Sequence, residues 1–432
     1  MTFPRYERTT LAIVLAGSMT LWGQPQTAVP APLTLSDCIH KALAAPSAAS
    51  VARKERDIAS LEVRQARAGL LPQSEITSSY VYNSPSRLDR STMSFVALNG
   101  VREFTALVNV IQEIDTSGRL RADLARARAT QDAASASVAV AERDLRKAVS
   151  DSYYRTLLAR HIETALKTSL GESEAFEQKV NLLWKGGEAA RADVVKASAQ
   201  TAFLRQAADT AQLAARLANQ ELASFWTQDV SAPLPLADVL DDPLPAPENG
   251  GPADAAYMRR PEFKLYDAQL HGFQAESRIA MSNLYPKLSG LLQFGVDSVS
   301  PTWQDRGYLA GGTLTIPVFD WFRSLSLARQ FQARAAQVQD SRSQAQRVFS
   351  AEYESAMLRV KQMFGQVEMT RNQVTLSEED LKLSRVRYEG GEGAALDVVT
   401  AQNQLAQART NYYSAIAAYL TARLELEVAA GR

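Results

Sequence analysis

The side chains of this 432-residue chain that could do chemistry do not gather into an active centre. Its three histidines, His40, His161 and His271, lie more than a hundred residues apart, and its single cysteine, Cys38, has no second thiol to pair with. No nucleophile, base and orienting group stand in a catalytic arrangement, and no metal-ligand spacing emerges. An enzyme is therefore not expected, nor is a cofactor or a metal site. Two carboxylates stand out instead, because their surroundings match. Asp193 lies in GGEAARADVVKASAQ (186–200) and Asp397 in GGEGAALDVVTAQNQ (390–404), and the two segments agree at nine of fifteen positions at an offset of 204. An acid just inside a helix start is favoured by about 0.3–1 kcal/mol through the helix dipole, which accounts for both residues without further function. The glycine pairs before them, Gly186-Gly187 and Gly390-Gly391, interrupt helical patterns. Glycine's freedom at positive φ suits a tight helix-to-helix reversal, so turns are expected at 185–192 and 389–396.

Positioning these residues requires elements that also occur twice. Leu71-Pro72-Gln73 is echoed by Tyr285-Pro286-Lys287 at an offset of 214, and Asp115 with Arg119 by Asp320 with Arg323. Each half reads as a helix ending near a proline, an alternating segment, a very long helix, a double-glycine turn and another long helix. Two copies of half a chain are too few for a solenoid; a duplicated unit with pseudo-twofold symmetry fits. Proline is absent from 86–232 and from 318–432, while seven of the seventeen fall between Pro233 and Pro261. Because proline costs about 3 kcal/mol inside a helix, the empty tracts are where long helices are expected: 117–184, 193–227, 324–388 and 397–429. Their recurrent residues, such as Ala127, Ala134, Val138 and Ala141, are mostly small, which permits close packing side by side. A simple antiparallel coiled coil would share this periodicity.

The remaining segments alternate with period two. Ile76, Tyr80 and Tyr82 share one face, as do Phe104, Ala106, Val108 and Val110. In the second half Leu288, Gly290, Leu292, Phe294 and Val296 alternate with polar neighbours, and so do Leu314, Ile316 and Val318. Such alternation over about ten residues suits transmembrane strands, with Leu292, Phe294, Leu314 and Ile316 expected to face lipid. Four strands cannot close a barrel in a bilayer by themselves, so insertion demands oligomerisation: two copies supply eight strands and three supply twelve.

Lysine plus arginine equals aspartate plus glutamate at 47 each, and charge is interspersed, which excludes the basic footprint of a nucleic-acid binder. Arg5 and Arg8, the apolar run 11–22 and the polar exit that follows predict a signal peptide over 1–28, cleaved between 23 and 31. No other stretch is apolar enough for a spanning helix. Leu35-Ser36-Asp37-Cys38 approaches a lipid-attachment box, but Asp37 is not small and the apolar run lies well upstream. Cys38 is expected buried or half-buried in the first helix. The chain divides into a first repeat (29–232), a proline-rich connector (233–261) and a second repeat (262–432).

Taken in order, 33–43 (LTLSDCIHKAL), the Leu-Leu-Pro and Leu-Tyr-Pro helix ends, Val318-Phe319-Asp320 before a long helix, and Tyr388-Glu389-Gly390-Gly391 followed by Leu396-Asp397-Val398-Val399 resemble the TolC-like outer membrane factors over roughly 33–430. The resemblance implies a mainly α fold with a small β part. Long duplicated helices would form a periplasmic α-barrel, and four strands per chain would contribute to a trimeric twelve-stranded barrel in the outer membrane. It further implies an exit duct that docks through its helix tips, at Gly186, Gly187, Gly390 and Gly391, to a periplasmic adaptor and an inner-membrane pump. Asp397, with Asp193 at the equivalent repeat position, would stand at the periplasmic aperture. Two departures are visible. The usual aromatic-Asp-Gly-Gly turn reads Ile114-Asp115-Thr116-Ser117-Gly118, and Thr400 stands where a second aspartate is usual. A periplasmic coiled-coil adaptor or scaffold that never enters a membrane is the alternative; it would show compact soluble β domains of more than four strands.

Overall fold

The computed structural model describes residues 32–84, 101–247 and 256–431; the expected signal segment lies outside the described residues. Helix α1 (Leu35–Ala44) opens with a capping box, Thr34 N–H donating to Asp37 Oδ2 at 3.0 Å and Asp37 N–H to Thr34 Oγ1 at 3.3 Å. The first half then runs through α2 (Ala48–Ala68), β1 (Gln73–Tyr82), β2 (Arg102–Ile114), α3 (Arg119–Lys185) and α4 (Arg191–Ala223). The second half repeats this order as α5 (Pro261–Ser282), β3 (Lys287–Ser298), β4 (Arg306–Thr315), α6 (Arg323–Glu389) and α7 (Ala395–Ala429). Both α3 and α6 have 67 residues, about 100 Å at 1.5 Å per residue. The halves are offset by 214 at Gln73 and Lys287 but by 204 at Arg102 and Arg306, so the ten-residue difference falls within the first hairpin.

Helix α3 is the spine. Along its sheet-proximal half it packs on α2 and α5, and α5 packs in turn on α6; along its other half it packs on α4 and α7, and α7 packs on α6. The helices therefore lie side by side in the order α2-α3-α5-α6 near the sheet and α4-α3-α7-α6 toward the far end. Mostly small buried residues permit this: Ala122, Ala127, Ala129 and Ala136 on α3, and Ala197, Thr201, Ala208, Ala211 and Ala215 on α4, the latter continued by the larger Leu204 in steps of three and four that follow a heptad seam. The largest core sits at mid-length, where Val149, Tyr153 and Leu157 of α3 meet Val360 and Val367 of α6 and Ile416, Tyr419 and Leu420 of α7. Helix α1 and the segment after α4 wrap this waist. Cys38 is fully buried in it, and burial pushes its thiol pKa up to about 11. Leu33 and Leu236 form a parallel bridge, Tyr153 OH donates to Ala237 O at 2.6 Å, and Leu240 is buried.

The four strands form one antiparallel sheet in the order β1-β2-β3-β4. Its register (Ile76↔Val108↔Phe294↔Tyr308, and Ser74↔Val110↔Leu292↔Ala310) places Ile76, Tyr80, Tyr82, Phe104, Val108, Val110, Leu292, Phe294, Tyr308 and Leu314 on one face. The opposite face is mixed but carries most of the sheet's polar side chains, and across it Asn109 Nδ2 donates to Thr77 Oγ1 at 2.9 Å while Gln293 Nε2 donates to Asn109 Oδ1 at 2.7 Å. Gly295 cannot be replaced without displacing β2: its φ is 153° and a Cβ there would lie 2.0 Å from Ala106 O. One expectation needs correction. Strand β4 begins at Arg306 and ends at Thr315, so Ile316 lies just past the strand, not within it. Lys287 pairs with Thr315, which leaves Ile316 opposite Pro286 and followed by Pro317, neither of which has an N–H for the ladder.

Candidate functional site

The chain's two tips are built alike. After α3, Gly187 at φ 80° donates its N–H to Trp184 O at 3.0 Å and Glu188 N–H donates to Leu183 O at 2.8 Å; after α6, Gly391 at φ 76° donates to Tyr388 O at 3.1 Å and Glu392 N–H to Arg387 O at 3.0 Å. These are two Schellman closures, and in each only the second glycine needs positive φ. Gly186 (φ −77°) and Gly390 (φ −78°) remain in right-handed geometry that other residues adopt freely. Behind the tips, Phe176 and Val180 of α3, Ala197 of α4, Leu381 of α6 and Ala395, Val398 and Ala401 of α7 form one core that joins the two hairpins.

Asp193 and Asp397 both occupy the third position of their helices. Asp397 is exposed and reaches back so that Ala394 N–H donates to its Oδ2 at 3.3 Å, half of a capping box. Asp193 is half-buried and has Lys196 Nζ at 4.0 Å. It also faces the other hairpin: burial, and then the charge of Asp193, raise the phenol pKa of Tyr388. Each acid thus has a helix-start role in a single chain.

Polar contacts bridge the hairpins above the tips. Gln200 of α4 and Asn403 of α7 exchange amide hydrogen bonds, Gln200 Nε2 donating to Asn403 Oδ1 at 2.6 Å and Asn403 Nδ2 to Gln200 Oε1 at 3.1 Å. Arg409 of α7 bridges Glu172 of α3 and Glu378 of α6, both at 3.3 Å. Sequence reading missed these pairs, although Gln200 and Asn403 come from nearly equivalent positions of the two repeats.

At the sheet end each long helix is launched by an aspartate. Burial disfavours the Asp115 anion, but Arg121 and the Leu120 and Arg121 amides donate to it and hold its pKa low; Asp320 is held low by the Ser324 side chain and N–H. The chain turns through positive φ at Gly118 in the first half and at Trp321 and Phe322 in the second.

Among the described residues one cluster could hold a metal ion: His161 of α3 with Asp238 and Asp241 of the segment after α4. No other group of three histidine, cysteine, aspartate or glutamate side chains converges in this way among the described residues, and no described helix is long and apolar enough to cross a membrane.

Comparison with known proteins gives a concordant result. The family model for outer membrane efflux protein matches residues 38–227 and 253–432. The chain is 25% identical over 310 residues to the pyoverdine export outer membrane protein OpmQ of Pseudomonas aeruginosa, covering 71% of this chain and 65% of that protein. It is also 25% identical over 329 residues to the toluene efflux pump outer membrane protein TtgF of Pseudomonas putida, covering 72% and 66%. The chain thus spans about two thirds of these relatives' lengths. Its fold matches the outer membrane protein VceC of Vibrio cholerae with a TM-score of 0.80 at 17% identity, covering 92% of this chain and 96% of that one. The CmeC outer membrane channel of Campylobacter jejuni matches with a TM-score of 0.82 at 16% identity, covering 92% and 85%.

Proposed function

The chain belongs to the outer membrane efflux protein family, and from that premise we propose that it is an outer-membrane exit duct, assembled as a homotrimer and fed by an inner-membrane pump through a periplasmic adaptor. One observation carries the reading: the unsatisfied surfaces of the chain lie along the same two flanks at every level. In the sheet the open edges are β1 and β4. In the helical layer the outer members are α2 and α4 on one flank and α6 on the other. These outer helices expose apolar stripes, Val51, Ile58 and Leu61 on α2, Val195, Phe203, Leu213 and Leu217 on α4, and Met369, Leu376, Leu383 and Val386 on α6. Each set falls within about 100° of helix surface. Pairing the β4/α6 flank of one copy with the β1/α2/α4 flank of the next satisfies the strand edges and both stripes at once, in a head-to-tail contact that closes a ring.

Three copies suit a duct. Eight strands would enclose only enough space for side chains, whereas twelve leave a lumen, and three copies also supply twelve helices at either level of the tunnel. The apolar sheet face bearing Leu292, Phe294 and Leu314 would meet lipid, and the Thr77–Asn109–Gln293 face would line the lumen. The tips at Gly186-Gly187 and Gly390-Gly391 would dock the adaptor. Widening the tunnel there would break the Gln200–Asn403 and Arg409–Glu172 contacts, which hold the two hairpins together. A channel has no reacting centre to supply, consistent with the scatter of its histidines.

The test is extraction of the full chain from outer-membrane fractions, mass measurement in detergent and reconstitution in planar bilayers. A trimer with stable single-channel conductance is expected. A monodisperse monomer that needs no detergent would overturn the reading.

A further inference from the structure

His161, Asp238 and Asp241 offer one ring nitrogen and two carboxylate oxygens within 4.8 Å of one another, at the waist and far from the tips and the sheet. Two of these groups have an evident reason to meet: His161 Nε2 lies 2.7 Å from Asp238 Oδ2, an ordinary hydrogen-bonded pair. Asp241, solvent-exposed like Asp238, makes no hydrogen bond or ion pair among the described residues, and its carboxylate oxygen lies within 4.8 Å of both other donors. The positions are held by other contacts. Asp238 Oδ1 accepts Leu240 N–H at 3.0 Å, Leu240 is buried between the two acids in sequence, and Tyr153 OH clamps Ala237 O. The His161 ring is stacked on Tyr413 of α7, centroids 4.3 Å apart. The nearby cation is engaged elsewhere, Arg160 Nη2 donating to Asn219 Oδ1 at 2.9 Å and to Leu234 O at 2.8 Å.

We propose that His161, Asp238 and Asp241 form a binding site for a divalent transition-metal ion that clips the segment after α4 to helix α3. One imidazole with two carboxylates suits ions such as Zn²⁺ better than Ca²⁺ or Mg²⁺, which prefer all-oxygen shells. Three donors around a tetrahedral ion, with bonds of about 2.1 Å, lie about 3.4 Å apart. The His161–Asp238 contact of 2.7 Å would widen slightly to reach this spacing, and the Asp241 carboxylate already lies within 4.8 Å of both. Water would complete the shell. The clip would restrain the chain where it passes from one repeat to the other, and this proposal stands apart from the duct reading.

The experiment uses full-length protein in detergent, stripped with chelator and titrated calorimetrically with Zn²⁺, beside Asp241→Asn and His161→Gln. Asp241→Asn is the decisive variant because it removes no hydrogen bond and keeps the shape. The proposal expects at least a tenfold loss of Zn²⁺ affinity at one site per chain in both variants, and a Zn²⁺-dependent rise in melting temperature that only the unaltered chain displays. It is overturned if Asp241→Asn binds Zn²⁺ as the unaltered chain does, or if no Zn²⁺ binds. A lower melting temperature for His161→Gln alone, insensitive to Zn²⁺, would likewise reduce the cluster to its ion pair.

Discussion

The two glycines of each tip do different work. Gly187 and Gly391 adopt the left-handed conformation that closes the Schellman turn, and an L side chain there costs roughly 1–2 kcal/mol. Gly186 and Gly390 lie in right-handed geometry, and a Cβ on either would meet helix carbonyls no closer than 3.5 Å. Alanine at 187 or 391 is therefore expected to accelerate amide exchange in the tip turns about 5- to 30-fold, while alanine at 186 or 390 leaves it nearly unchanged, as hydrogen-exchange mass spectrometry would reveal. Equal effects at all four positions would contradict the assignment. The glycine pairs were legible in the sequence; which member carries the strain was not, because composition does not report φ. The His161–Asp238–Asp241 cluster was illegible for another reason. Its members come from a helix and a connector 77 residues apart, and nothing local marks them as neighbours.

Among the elements, the long helices were the most legible, since a proline-free tract is a direct physical statement. The expected starts at 117 and 324 meet observed starts at Arg119 and Arg323. Strands β1 to β3 announced themselves through alternation. Strand β4 did not: Arg306-Gly307-Tyr308-Leu309-Ala310-Gly311-Gly312 has little contrast between faces, and the clean parity of Leu314, Ile316 and Val318 drew the reading past the strand's end. Only the register shows Leu292 and Leu314 on one face with Ile76 and Val108. If that face meets hydrocarbon, lysine at Leu292 or Leu314 costs about 2–4 kcal/mol near mid-bilayer and less toward the interface. Lysine at Thr313 or Thr315, on the opposite face, should leave assembly intact. Heat-modifiable mobility of outer-membrane fractions would distinguish the four variants, and indistinguishable assembly would invert or abolish the facing assignment.

At the scale of the whole molecule, the proposed threefold symmetry would give an ordinary helix-start residue a second consequence. In one chain Asp397 is exposed and accepts Ala394 N–H, which suffices to explain an acid there. If three copies close a ring on the β4/α6 and β1/α2/α4 flanks, as proposed, three copies of Asp397 would stand about one axis at the tip end of the duct, where low-dielectric walls would focus their field and favour cations. Asp193, half-buried beside Lys196 and turned toward Tyr388, would contribute less. Replacing Asp397 by alanine would remove such a ring at a cost of only a few tenths to about 1 kcal/mol per helix, so trimers should still form. In planar bilayers, Asp397→Ala is expected to weaken cation selectivity and block by multivalent cations, with Asp193→Ala having the smaller effect. Unchanged selectivity and block in a correctly assembled Asp397→Ala trimer would leave this carboxylate as a helix start alone.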